Sequence, residues 1–150
     1  MYVQGHLEKA VDFCKQGLLA ESTDNLDRAV AYYVGSETLN GPFYFNLAVA
    51  RCGNFGTCDA NGNAPVNNVA FEEFAKMKQS LTAENGQACS NTEDSKDEII
   101  EKMVIPYIQG TIRYAVFLGK KGAIPTALTV AFTSDSIIFF LSCCLSRSGW

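Results

Sequence analysis

Four cysteines in the polar part of the chain limit the fold more than any other feature: Cys14, Cys52, Cys58 and Cys89. An even set of four allows three pairings. Between Cys52 and Cys58 the glycines Gly53 and Gly56 let the backbone turn back, so a local bridge is the first expectation. Cys14–Cys89 is then the long-range bridge. Closing a loop of that length stabilises a fold by about 4 kcal/mol in the chain-entropy model. Four buried free thiols are the alternative. A zinc site is disfavoured, because no C-x-x-C pair occurs. Six cysteines in 150 residues are many for a cytosolic chain and point to an oxidising compartment. The other two, Cys143 and Cys144, lie in an apolar tail.

The chain has enough residues for one domain with a real core, and 47% apolar with 19% charged residues is a globular balance. Twelve basic against sixteen acidic side chains leave a net charge of −4, so no basic face is expected and nucleic acid is excluded as a partner. The start lacks a basic segment followed by an apolar one. It is therefore read without a secretory signal, as a fragment or a start at an internal Met.

Apolar periodicity is helical throughout the first 120 residues. Leu7, Ala10, Val11, Cys14 and Leu18 predict a helix over 7–20. Asp24 is expected to cap a second helix that ends at Gly35. Pro42 is placed to start a third, which stops at Gly53. Residues 53–66 read as a loop. Asn67 or Asn68 is expected to cap a fourth helix reaching about Gly86, with Phe71, Phe74, Met77 and Leu81 inward. Ser95 and Glu98 form an S-x-x-E capping box for a fifth, over 96–118, after a polar loop at 87–94. Its predicted inward stripe includes Ile100, Met103, Tyr107, Ile108 and Ala115, and Pro106 should kink or break it. The predicted fold is mainly α: a small disulfide-stapled bundle of about five helices over 1–121, followed by an apolar tail over 122–150.

That tail carries only Asp135 and Arg147 as charges, and 124–145 is long enough to span a bilayer. It could be a membrane anchor, a buried helix or strand pair, or an end outside the evolved domain such as a readthrough or splice-altered terminus. The last is preferred, because helical patterning stops after Leu118.

Carboxylates are the richest source of chemistry. Asp24 and Asp27 lie one turn apart, Glu72 and Glu73 are adjacent, and Glu98 and Glu101 are spaced i, i+3. Hard cations suit such oxygen donors. Acids near helix starts are also common for the dipole alone, and tyrosines are commonly core residues. Asp59-Ala60-Asn61-Gly62-Asn63 opens like a calcium loop, but the sixth and twelfth positions are Ala64 and Ala70, so an EF-hand is rejected for a turn flanked by a disulfide. The single histidine, His6, and the absence of nucleophile or phosphate-loop motifs argue against an enzyme.

Three stretches, 24–36, 45–58 and 100–114, resemble the algal low-iron-inducible periplasmic family, the iron-assimilation or high-CO2-inducible secreted proteins. They contain Tyr33-Val34-Gly35-Ser36, Arg51-Cys52 with Cys58, and Pro106-Tyr107 with Arg113-Tyr114, in order, within a region of similarity over about 7–118. The resemblance implies a secreted, helical, non-enzymatic protein that assists iron uptake at the cell surface. Together with the acid and tyrosine supply it makes iron the expected cofactor. Asp24, Asp27, Tyr33, Glu98 and Glu101 are the candidate ligands, and cell-surface uptake machinery is the candidate partner. A stapled structural or interaction module without metal is the alternative, and a membrane is a partner only if 124–145 is an anchor.

Overall fold

A computed structural model describes residues 2–35, 43–82 and 88–120. These residues form five helices and no strand: α1 (Tyr2–Lys15), α2 (Leu19–Val34), α3 (Tyr44–Phe55), α4 (Pro65–Thr82) and α5 (Ala88–Lys120). The small disulfide-stapled helical bundle is therefore the fold. The chain divides into two compact units, Met1–Pro106 and Tyr107–Trp150. The expected boundary at 121, the tail over 122–150, Pro42 and Gly86 lie outside the described residues.

Helix boundaries differ from expectation for identifiable reasons. The first helix ends at Lys15 because Gly17, at φ 77°, is a left-handed stop. Its N–H donates to the Cys14 carbonyl at 2.9 Å and the Leu18 N–H reaches Phe13 at 2.9 Å, the paired bonds of a Schellman motif. The second helix then starts at Leu19 with no side-chain cap. Asp24 is thus inside the helix and not at its start. The fourth begins at Pro65, a residue whose missing N–H costs nothing in a first turn. Asn67 is inside that helix and buried: it accepts from the Tyr33 hydroxyl at 2.9 Å and donates to the Phe45 carbonyl at 3.2 Å.

The core of the first unit gathers Leu7, Ala10, Leu26, Ala29, Met77 and Ile99 around Tyr33. The Tyr33 ring packs against Tyr44 at 4.9 Å and edge-on to Phe74 at 5.5 Å. Ser22 ties α2 to α1 by donating to the Ala10 carbonyl at 2.6 Å.

The fifth helix begins at Ala88, so 88–94 is helix where a loop is expected, and Ser95 is not a cap. Its buried line is Thr92, Ser95, Ile99, Met103 and Pro106, one residue out of phase with the predicted stripe except at Met103. Two polar members hid that phase from a reading of apolar spacing. The helix runs on through Pro106. A proline removes a bond to the preceding turn. The carbonyl left without its helical donor is that of Lys102, while the adjacent Met103 carbonyl accepts the Tyr44 hydroxyl at 2.7 Å and ties α3 to α5. In the second unit Ile108, Ile112, Tyr114, Val116 and Phe117 are each exposed, so Tyr107, Ile108 and Ala115 do not form the expected inward face. Among the described residues no helix is long and apolar enough to cross a membrane.

Candidate functional site

The five candidate ligands fall in four separate places, with only Glu98 and Glu101 sharing one. Asp24 accepts from Arg28 Nε at 2.9 Å, one turn on. Asp27 holds Lys78 of α4 at 2.8 Å. Glu98 and Glu101 both reach Lys102 Nζ, each at 3.1 Å. Tyr33 is fully buried and gives its hydroxyl proton to Asn67. Burial raises its pKa well above the ordinary phenol value, which disfavours a phenolate. Among the described residues no group of three or more His, Cys, Asp or Glu side chains converges as a metal cluster would require.

The carboxylate that is built into the structure is Glu73, which sequence spacing left among the solvated acids. It lies on α4, facing α5, with its side chain 11% exposed. One oxygen accepts from Ser95 Oγ at 2.7 Å and the other pairs with Lys76. Burial works against its ionisation, but the Lys76 and Ser95 hydrogen bonds outweigh that and hold its pKa below the usual value. Glu73, Lys76, Asp94, Ser95 and Glu98 line an open polar groove of about 660 Å³ between the two helices. Its mixture of anchored charge and uncommitted polar groups suits a polar ligand or a partner surface more than an apolar molecule. The one signal available in sequence was the Ser95 hydroxyl, misassigned to a cap.

Both expected bridges are present. Cys14–Cys89 joins α1 to α5 across 75 residues, and Cys52–Cys58 closes the end of α3 across six. Four cysteines bonded in this way indicate an oxidising environment. They also leave no thiol at these positions to act as a nucleophile.

The turn after the short bridge is closed on itself. Asp59 Oδ1 accepts from the backbone N–H of Asn61 at 2.9 Å and of Asn63 at 2.8 Å, and Oδ2 accepts from Asn68 Nδ2 at 3.0 Å. The Asn63 backbone bond leads the effects that lower its pKa, followed by Asn68. This carboxylate organises the loop into α4.

No family model matches the chain, and neither the curated proteins nor the solved structures contain a match to it.

Proposed function

We propose that this chain is a secreted, non-enzymatic interaction module: a disulfide-stapled helical scaffold that meets its partner through the polar groove between α4 and α5. One observation carries the preference over iron binding. Each candidate carboxylate is already matched to a lysine or arginine, and Tyr33, the phenol of the candidate ligand set, is sealed in the core. A hard cation would have to displace those partners and gather donors from separate helices. The non-enzymatic part follows from the sequence, whose single histidine, His6, is held here by Asn25 and Tyr32. Melting the disulfide-intact chain with and without chelated ferric iron tests the proposal. It expects the same Tm in both. A rise in Tm that grows with iron concentration, as ligand linkage demands, would overturn it.

Iron assimilation is retained as a second reading because one pair of donors does converge. Glu98 and Glu101 each lie 3.1 Å from a single point, the Lys102 ammonium. If a metal takes that place, Lys102→Ala should strengthen iron binding, and Glu98→Gln with Glu101→Gln should abolish it.

A further inference from the structure

A second, smaller depression, of about 270 Å³, lies on α1 and is lined by Tyr2, Gly5, His6 and Lys9. The spacing i, i+3, i+4, i+7 puts all four on one helix face. Tyr32 of α2 stacks against both rings: 5.2 Å from Tyr2 at 18°, and 5.3 Å from His6 at 11°. His6 Nδ1 is 3.0 Å from Asn25 Oδ1, which fixes the imidazole plane. Yet Tyr2 is 76% and Tyr32 45% exposed. The rings are ordered against one another while much of their surface faces water.

Gly5 is unexplained by the fold. In a helix interior glycine costs about 1 kcal/mol relative to alanine. Gly5 is not among the left-handed glycines, and a Cβ there would meet nothing within 4 Å. Neither backbone conformation nor packing calls for it. Its effect is to leave the floor between Tyr2 and Lys9 with no side chain at this position. Lys9 is the second anomaly. Among the described residues Lys15, Lys76, Lys78, Lys96 and Lys102 each pair with a carboxylate, and Lys9 does not.

Partly exposed aromatic side chains, a floor with no side chain at Gly5 and an unpaired ammonium fit a ligand with a broad weakly polar face and a carboxylate on its edge. We propose that this depression binds an acidic sugar, a uronate residue of an extracellular glycan. The C–H face of the pyranose rests on the aromatic rings, and its carboxylate takes the Lys9 ammonium in a charge-assisted hydrogen bond. A free aromatic acid fits less well. Small-molecule sites bury about 70–90% of their ligand, and this depression is open. A chain lying across it needs no enclosure. The proposal extends the interaction-module reading to helices that do not line the α4–α5 groove, so the two can fail separately.

Titration calorimetry of the disulfide-intact full chain with a galacturonate tetramer tests it. Saturable binding is expected, weakened at least about tenfold for the neutral galactose tetramer. Lys9→Gln and Gly5→Gln should each weaken galacturonate binding by about the same factor. Gly5→Gln fills the floor while improving helix propensity, so its Tm should be unchanged or raised, and a loss of binding there is not a loss of fold. The proposal is overturned by an absence of saturable heat, by full binding in Gly5→Gln, or by benzoate or acetate binding as tightly as the uronate. The last result would mark a general anion site. Loss of iron response, or of groove binding, bears on neither outcome.

Discussion

Glu73 and Asp24 are both helix-interior carboxylates one turn from a basic residue, and they do different work. Asp24 pairs with Arg28 where both side chains are about 60% exposed. Glu73 pairs with Lys76 too, but it is buried and takes a second bond from another helix, through Ser95. Exposed pairs contribute little, because water already solvates both ions and salt screens them. A buried carboxylate must be fully satisfied, and the groups that satisfy it are then fixed in place. The difference lies in what stands opposite the acid, which spacing along one helix does not reveal.

The largest test of this contrast acts on the staple that brings α5 to the rest of the first unit. Cys14→Ser with Cys89→Ser should cost about 4 kcal/mol by chemical denaturation, and Cys52→Ser with Cys58→Ser about 2 kcal/mol, since loop-closure entropy grows with loop length. Equal losses would mean that the long bridge does not govern α5.

Next comes the seam itself. Glu73→Ala strands the buried Ser95 hydroxyl without its acceptor and should cost about 2 kcal/mol. A double-mutant cycle with Ser95→Ala should show clear coupling, and simple additivity would break the proposed link. The acid limb of stability follows from the same carboxylate. Its pKa is lower folded than unfolded, so its stabilisation is complete above the unfolded value, about 4.3, and is lost as pH falls through the folded value. Glu73→Gln should therefore flatten the fall in Tm between about pH 5 and pH 3. Asp59 shares the direction of shift, so part of the fall will remain in that variant.

The smallest effects belong to the exposed acids. Asp24→Ala and Asp27→Ala should each change stability by less than about 0.5 kcal/mol, and the change should fade with added salt. A loss above about 2 kcal/mol for either would erase the distinction between the two kinds of carboxylate.

The helical fold and both cysteine pairings were legible in sequence. Leu7, Ala10, Leu26, Phe74 and Met77 recur at helical spacing, and the glycines between Cys52 and Cys58 allow a tight return. Boundaries were less legible. Ser95 with Glu98 has the form of a capping box, but Ser95 lies inside α5, two turns past its start, and faces Glu73. Gly17 falls within the 7–20 helix that apolar spacing predicts and is a helix stop. The candidate metal site was the least legible part. Asp27 meets Lys78 from 51 residues away, and Tyr33 meets Asn67 from 34. Such partners are set by how helices pack, and periodicity within one helix carries no record of them.

The central claim is that the candidate carboxylates Asp24, Asp27, Glu98 and Glu101 have their cations within the protein. Isothermal titration of the disulfide-intact chain with ferric iron buffered by a weak chelator addresses it directly. The account predicts only heats of dilution, unchanged when Asp24, Asp27, Glu98 and Glu101 are all replaced by their amides. A saturable one-to-one isotherm that vanishes in that variant would contradict it.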